Sequence, residues 1–180
     1  MAAGDGLVSM KPTSIAHSGT SASINADGGV DFTAVTELNL NGVFTSEIDN
    51  YLIVFRAPDN GANDSVLLRF RASGSDASGS DYVQQRLRAD SGTVSGLRDT
   101  QTYFRVGALY EPAGSVIHLY GPALTQPTAI RTITAEGVDS ARINDHAGTH
   151  SLSASYDGIS FIWLTPTAQS GNVHVFGYEE

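Results

Sequence analysis

The chain has 180 residues, contains no cysteine and carries a formal net charge of −9 at pH 7. This length predicts one domain whose core is large enough to fold without disulfide bonds, and the missing thiols exclude thiolate metal sites and cysteine nucleophiles. The acidic balance disfavours nucleic-acid binding, which depends on clustered positive charge, and the longest apolar run, residues 51–55, is far too short to span a membrane as a helix.

The N-terminal residues 1–13 predict a short extended arm, because they contain Gly4, Gly6 and Pro12. We expect such an arm to be disordered or to be ordered against a neighbouring subunit. It lacks the basic start and the long apolar stretch of a secretory signal. Residues 14–180 then predict a single folded domain.

Short segments with period-two alternation follow the arm and predict β-strands. The segment YLIVF at 51–55 is apolar at every position, which predicts a central strand covered on both faces. Alternation also marks residues 22–24, 37–41, 66–71, 83–88, 103–106, 115–121, 129–135, 149–156, 158–164 and 172–178. Asn-Gly, Asp-Gly and Gly-Gly pairs between the segments supply the positive φ angles of tight hairpins. The pattern predicts an all-β fold, a single antiparallel β-sandwich or barrel.

Several segments resemble a group of bacteriophage virion proteins. They are PTSIAHSGTSASI at 12–24, LNLNGVFTSEIDNYLIVF at 38–55, LRFRASGSDASGSDYV at 68–83, GPALTQPTAIRTITA at 121–135, AGTHSLSASYDGISFI at 147–162 and VHVFGY at 173–178. The resemblance covers nearly the whole chain after the arm. Similar segments occur at the C-termini of tail-fibre and minor tail proteins and in small capsid decoration proteins. It implies a jelly-roll-like β-sandwich that trimerises on the particle.

The resemblance implies a non-enzymatic structural protein located in the virion, a tail or fibre-tip component that takes part in assembly and binds a host-surface glycan. A capsid decoration or cement protein, or a head fibre, is the alternative, and a stand-alone carbohydrate-binding module is a more distant one. The implied partners are sister subunits in a homotrimer, other tail or capsid proteins, and the glycan. Neither nucleic acid nor membrane insertion is expected. Fibre proteins carry this module after a long shaft, which favours a decoration, cement or fibre-tip protein for a chain with only a short arm.

The sequence contains no motif that predicts catalysis. The G-x-S-x-G, H-E-x-x-H and P-loop patterns are all absent. Serine is abundant, but no serine lies in the sequence context of a nucleophile. We therefore expect no catalytic residues, no cofactor and no enzymatic activity.

Asp145, His146 and His150 are the candidate metal ligands, because two histidines four residues apart share one side of a helix. Residues 147–149 predict instead a loop that runs into a strand, where positions four apart lie about 13 Å from each other. Hydrogen bonding in a loop or interface is therefore the favoured interpretation. Calcium is a second metal to consider, because carboxylate and amide oxygens are its ligands. These oxygen-rich loops do not match an EF-hand, and turn formation is the favoured explanation of them. These loops contain Asp59, Asn60, Asn63, Asp64, Asp76 and Asp81.

Four arginines form the candidate interface. Arg69 and Arg71 share one strand face, as do Arg86 and Arg88. If the loop at 73–81 joins these strands in a hairpin, the arginines form one basic patch on an acidic protein. A solvated face with arginine–carboxylate pairs is one interpretation. An anchor for an acidic partner, whether a subunit, a capsid surface or an anionic glycan, is the other, because the guanidinium group binds carboxylates bidentately.

Aromatic residues are candidates for sugar-stacking platforms, although aromatic residues in strands more often lie in the core. Trp163 shares strand parity with Ile159 and Phe161, which places it in the core or at the trimer interface. The candidates are Tyr103, Tyr110, Tyr120, Tyr156, Trp163 and Tyr178.

Overall fold

The computed structural model describes residues 6–59, 64–109, 113–137, 141–165 and 167–179. All the regular elements in these ranges are β-strands, which confirms the predicted all-β class. The strands are β1 (Leu7–Ser9), β2 (Ser14–Ile24), β3 (Val30–Asn41), β4 (Asn50–Asp59), β5 (Asp64–Ala72), β6 (Ser75–Asp76), β7 (Tyr82–Asp90), β8 (Thr93–Gln101), β9 (Phe104–Leu109), β10 (Ala113–Tyr120), β11 (Gln126–Glu136), β12 (Arg142–Ala154), β13 (Gly158–Trp163) and β14 (Gln169–Tyr178). The described residues include no helix that is long and apolar enough to cross a membrane.

The strands form one antiparallel sheet that curls on itself. Its path runs β6-β5-β13-β3-β14-β4-β10-β11-β12-β7-β8, with β1 added to β14, β2 to β3 and β9 to β5. Because β9 lies against β10, β11 and β12, the two halves of the path face each other as the layers of a sandwich. We call β14, β4, β10, β11, β12, β7 and β8 the first layer, and β2, β3, β13, β5 and β9 the second. This is the jelly-roll-like antiparallel sandwich that we predicted, and the homotrimer remains a prediction.

Apolar side chains at alternate strand positions meet between the layers. Phe55 of β4 stacks on Phe161 of β13, with 5.2 Å between ring centroids, and on Phe32 of β3 at 5.9 Å. Trp163 meets Phe32 edge to face at 5.8 Å and is 3% exposed. Such aromatic pairs stabilise a fold by about 0.5–1.5 kcal/mol each beyond their buried area. Trp163 therefore occupies the core of the subunit, not its surface.

The strand β4 is central, with β14 on one side and β10 on the other. Tyr51, Ile53 and Phe55 of this strand are buried in the core, but Val54 between them is 40% exposed. The prediction that both faces of this segment are covered is therefore wrong. The second layer covers only the inner face of the first layer, and the outer face lies open.

The predicted arm is part of the sheet over residues 7–9. These residues form β1, which pairs with β14 of the same chain, so that Leu7 lies opposite Tyr178. The backbone N–H of Met10 continues the contact by donating to the Val175 carbonyl at 2.9 Å. This part of the arm is ordered against its own subunit, in contrast to the expectation of disorder or a neighbouring partner. Residues 1–5 lie outside the described residues.

Candidate ligand-binding surface

The outer face of the first layer carries rows of side chains that the strand register aligns. In an antiparallel sheet, residues directly opposite each other have Cβ atoms about 4.5–5.5 Å apart and interact. One row places His118 of β10 between Leu52 of β4 and Arg131 of β11. On the far side of Arg131 the row continues through Ala147 of β12 to Gln85 of β7. Residues far apart in the sequence thus form one row across five strands, in which His118, Arg131 and Gln85 are polar.

Tyr120 is the exposed aromatic residue of this face, with 46% of its surface accessible. Its ring lies within 13° of parallel to the ring of His118, with centroids 6.4 Å apart. His118 Nδ1 is hydrogen-bonded to Tyr178 Oη at 3.4 Å. Together with Asn50 these residues line a shallow groove of about 420 Å³, which we call the Tyr120 groove. The groove combines an aromatic surface with polar groups along its rim.

A second groove lies beside the first and is built around an ion pair. Arg131 donates to both carboxylate oxygens of Asp145, from Nε at 3.2 Å and from Nη2 at 2.8 Å. The hydrogen bonds to Asp145 raise the pKa of Arg131 above its ordinary value. Gln85, Leu87 and Ala147 complete the lining of this groove of about 280 Å³, which we call the Arg131 groove. Because His118 lies opposite Arg131, the two grooves adjoin.

An apolar row runs alongside the polar one. Val54, Val116 and Ile133 lie opposite one another on β4, β10 and β11. They are 40%, 37% and 42% exposed, and Ile143 and Leu87 extend the apolar surface onto β12 and β7 at 58% and 55%. A contiguous exposed apolar surface of this kind usually marks a site that contacts another protein or a ligand.

His150 lies on the inner face of β12, in the core. It is fully buried, and its Nδ1 is hydrogen-bonded to Tyr156 Oη at 3.1 Å. Its ring packs edge to face against Tyr82, with 4.4 Å between centroids. Burial lowers the pKa of His150, which favours the neutral ring.

His146 shares the inner face of β12 with His150 but has different neighbours. It is 2% exposed and lies 6.4 Å from the ring of Phe104. The predicted loop at 147–149 is wrong, because β12 runs without interruption through these residues. No group of three or more metal-ligating side chains occurs among the described residues. Asp145, on the opposite face of the strand, binds Arg131 instead.

The four candidate arginines do not form one patch. β5 pairs with β13, β9 and β6, whereas β7 pairs with β12 and β8, so β5 and β7 do not form the hairpin that a single basic patch would require. Arg69 donates from Nε to the Thr102 carbonyl at 2.9 Å. Arg71 is 7% exposed and is ion-paired with Asp76 of the edge strand β6, on the face of β5 that points away from the core. These two arginines make contacts within the fold.

Arg86 and Arg88 lie on the inner face of β7, as their opposition to His146 and Asn144 of β12 shows. Both side chains are half-buried. Of the oxygen-rich loops, the side chains of residues 58–64 lie outside the described residues, and Asp76 belongs to the Arg71 ion pair. Turn formation therefore remains the favoured interpretation of these loops.

Comparisons with known proteins found distant likeness only. No protein-family model matches the chain, and no curated protein matches it significantly. The chain is similar to domain 4 of AbnA, a GH43 extracellular arabinanase from Geobacillus stearothermophilus, with 8% identity over 97% of this chain and 82% of that chain and a TM-score of 0.37. It is also similar to galectin LEC-6 from Caenorhabditis elegans, with 10% identity over 81% of this chain and 94% of that chain and a TM-score of 0.39. Lectin II from Ulex europaeus shows 11% identity over 93% of this chain and 95% of that chain, with a TM-score of 0.27. These similarities are too distant to assign a function to this chain.

Proposed function

We propose that this protein acts by binding rather than by catalysis, and that its ligand is a carbohydrate held on the outer face of the first layer. The Tyr120 groove is the observation that carries the proposal. Its tyrosine ring is exposed and lies nearly parallel to His118, with polar groups around it.

The chemistry of this groove matches the two kinds of surface that a sugar presents. A sugar ring has an apolar face of C–H groups, and an exposed aromatic ring offers a flat apolar surface against which that face packs. Its hydroxyl groups lie around the edge, where they donate and accept hydrogen bonds. Asn50, His118 and Tyr178 place donors and acceptors at the rim of the groove. A few convergent polar groups on an apolar floor are typical of ligand sites.

The adjoining Arg131 groove lengthens this surface. The polar side chains extend from β14, which carries Tyr178, to β7, which carries Gln85. With strands about 4.8 Å apart, the six strands span about 24 Å, a length that suits an oligosaccharide better than a single sugar. The bidentate pair of Arg131 and Asp145 holds both side chains in one geometry and offers unused donors and acceptors to further hydroxyl groups.

A glycan array, followed by calorimetric titration of the best ligand, tests this proposal. We expect Tyr120→Ala to weaken binding at least about tenfold, because the packing surface is lost. Tyr120→Phe retains the ring and should bind within about threefold of the parent chain, since packing and not the hydroxyl carries the contact. Tyr103→Ala, at a half-buried tyrosine that lines neither groove, is the control. The absence of any glycan ligand would contradict the proposal, as would equal affinities for the parent chain and Tyr120→Ala.

The proposed setting of this binding is a virion, and the support for it is the sequence resemblance. In that setting the protein would be a homotrimeric tail or fibre-tip component whose outer face meets a host glycan. Particles that lack the protein should then have normal capsids and fail to adsorb to host cells. Weakened capsids with normal adsorption would support the alternative, a capsid decoration protein or head fibre, and would overturn the tail assignment.

The apolar row supports a second role for the same face, contact between copies of the chain. Val54, Val116 and Ile133 present adjoining aliphatic side chains that the subunit itself leaves uncovered. Burying such surface between subunits stabilises an assembly by about 25 cal/mol for each Å² removed from water. The two roles can be tested separately, because Val54, Val116 and Ile133 line neither groove, although Leu87 belongs both to the Arg131 groove and to the extension of the apolar surface.

A further inference from the structure

The polar row of the outer face, which contains His118, Arg131 and Gln85, continues for one strand beyond the Arg131 groove. Gln85 lines that groove and lies opposite Arg98 of β8. Because residues opposite each other in a sheet share a face, Arg98 lies on the outer face, where it is exposed. The strand β8 is the last of the sheet path. The polar row therefore ends on an arginine whose guanidinium group reaches solvent.

The geometry of the β7–β8 hairpin brings the side chains of Gln85 and Arg98 close together. Both turn residues of this hairpin, Ser91 and Gly92, have positive φ angles of 47° and 79°, which is typical of a two-residue type I′ turn. The residues that flank such a turn exchange backbone hydrogen bonds, and every second pair after them does the same. Counted from the turn, Gln85 and Arg98 form one of the intervening pairs, in which side chains approach most closely.

Arg98 has no ion-pair partner in the described part of the chain. The carboxylate of its neighbour Asp99 belongs to the opposite face of β8, where it lies 3.8 Å from Arg105. Arg131 differs in this respect, because it already donates to both carboxylate oxygens of Asp145. Arg98 is thus the arginine of the polar row that can direct its N–H donors to an acceptor outside the chain.

The charges of the outer face are unevenly distributed from one end to the other. Asp27 and Asp31 are exposed beside β14, where both line a hollow of about 220 Å³. The charged side chains that β11, β12, β7 and β8 carry on this face are Arg131, Asp145 and Arg98, and the first two neutralise each other. A chain whose net charge is −9 therefore presents an uncompensated positive charge at the β8 end of its proposed binding surface.

We propose that the glycan bound on the outer face is acidic and that Arg98 binds its carboxylate or sulfate group at the β8 end of the polar row. This inference rests on the proposed carbohydrate binding and adds the charge and the direction of the ligand. A guanidinium group binds either oxyanion through two parallel N–H donors. Asp27 and Asp31 at the other end would repel the same group, so the acidic part of the glycan points toward β8.

The distance along the surface indicates which sugar carries the charge. Tyr120 lies on β10, four strands from β8, and four strand spacings amount to about 19 Å. A single sugar that packs on Tyr120 cannot also reach Arg98. The ligand is therefore an oligosaccharide in which the acidic sugar is separated along the chain from the sugar that packs on the tyrosine ring.

A glycan array with matched pairs of oligosaccharides, followed by calorimetric titration of the best pair, tests this inference. The two members of a pair share one core and differ in a single group, either a uronate against its methyl ester or a sulfated sugar against its unsulfated form. We expect the parent chain to bind the acidic member at least about fivefold more tightly in one or both kinds of pair, and Arg98→Gln to bind the two members alike. The kind of pair that shows the preference identifies the anion.

Arg56→Gln is the matched control for this experiment. Arg56 is exposed on the same face but lines neither groove, so the variant loses the same charge outside the polar row. It should keep the preference of the parent chain for the acidic member. An equal loss of preference in Arg56→Gln and Arg98→Gln would mean that the general charge of the face attracts the glycan, and it would overturn the role of Arg98.

Failure of this inference and failure of carbohydrate binding give different results. If the parent chain bound acidic and neutral members equally and Tyr120→Ala weakened both, Arg98 would have no role and carbohydrate binding on the outer face would stand. If the parent chain bound no glycan, both proposals would fall. Because Arg98 is exposed, Arg98→Gln should fold like the parent chain, and its titrations report binding alone.

Discussion

At the scale of single residues, His146 determines part of the response of the fold to acid. Burial, with Arg86 and Arg105 nearby, lowers the pKa of His146 to about 4, so the folded chain keeps the ring neutral. The unfolded chain takes up the proton near pH 6.5. This residue therefore has no effect on stability above that pH, and it removes stability progressively as the pH falls from about 6.5 to about 4. By pH 4.5 the loss amounts to about 2–3 kcal/mol.

Replacing His146 should remove this component of acid sensitivity. We expect His146→Gln to lose about 2 kcal/mol less stability than the parent chain between pH 7.5 and pH 4.5, as measured by urea unfolding at each pH. His17→Gln is the matched control, because His17 is exposed on β2, and it should follow the parent chain. An unchanged pH dependence in His146→Gln would show that the folded protein does not keep this histidine neutral.

The residues of the outer face were only partly predictable from the sequence. Tyr120 and Tyr178 appeared among the aromatic candidates, but alternation alone cannot tell which face of a strand the core covers. Asn50 and Arg131 were missed, because no local spacing connects them with Tyr120 or Tyr178. The strand register joins these positions, and the register depends on the whole sheet. The placement of His118 and Tyr120 two residues apart on one strand was the one local signal that could have identified the groove.

At the scale of elements, Arg71 connects β5 to three other strands, β3, β6 and β13. Its guanidinium group is ion-paired with Asp76 of β6, donates to Ser160 Oγ of β13 at 2.8 Å and, through Nε, donates to Asn41 Oδ1 at the end of β3 at 3.1 Å. Ser160 in turn donates to Asp76 Oδ1 at 2.6 Å. Without Arg71, Asp76 would keep only the hydrogen bond from Ser160 and the more distant Arg69, at 4.0 Å. Breaking a buried pair costs about 3–5 kcal/mol, and this pair is close to that limit because Arg71 is 7% exposed.

We therefore expect Arg71→Ala to destabilise the fold by about 3 kcal/mol or more in urea unfolding. Arg98→Ala, at an exposed position on β8, should change the stability by less than about 0.5 kcal/mol. A cost below about 1 kcal/mol for Arg71→Ala would mean that the network contributes little to holding β5, β6 and β13 together.

The positions of the strands followed from the sequence, but their partners did not. Alternation marked residues 66–71 and 83–88 correctly as strands, because each has one face toward the interior. The short loop between them favoured a hairpin, yet β5 pairs with β13, whose residues lie far along the chain. The sequence likewise does not show which face of β7 points into the sandwich. Leu87 faces solvent and Arg86 faces inward, because the register places Arg86 opposite the buried His146 and Leu87 opposite Asp145 on the outer face.

At the scale of the whole molecule, the apolar row of Val54, Val116 and Ile133 should hold the homotrimer together. Val116 lies at the centre of this row, so Val116→Glu would bury a charge in the contact between subunits. We expect this variant to be monomeric, by size-exclusion chromatography with light scattering, at concentrations where the parent chain is trimeric. Leu164→Glu, at an exposed residue after β13, should remain trimeric. A monomeric parent chain, or a trimer that survives Val116→Glu, would contradict this role of the row.

The fold class could be predicted at this scale because turn residues separate short alternating segments throughout the chain. The exposure of the outer face could not be predicted, because every residue of the run at 51–55 is apolar and the pattern therefore indicates burial on both faces. Val54 is apolar but exposed, and only its neighbours Val116 and Ile133 show that it belongs to a surface row. A surface built for contact and a strand buried on both faces have the same local sequence pattern.

Carbohydrate binding at the Tyr120 groove is the central claim, and mapping a bound glycan by amide chemical shifts tests it most directly. The glycan selected on the array is titrated into the ¹⁵N-labelled full chain and into Tyr120→Ala. We predict that the largest shifts will fall at residues 50, 118, 120, 131 and 178 in the parent chain and will disappear in the variant. Shifts confined to the loops or to the inner face of β7, or shifts that persist in Tyr120→Ala, would contradict the claim.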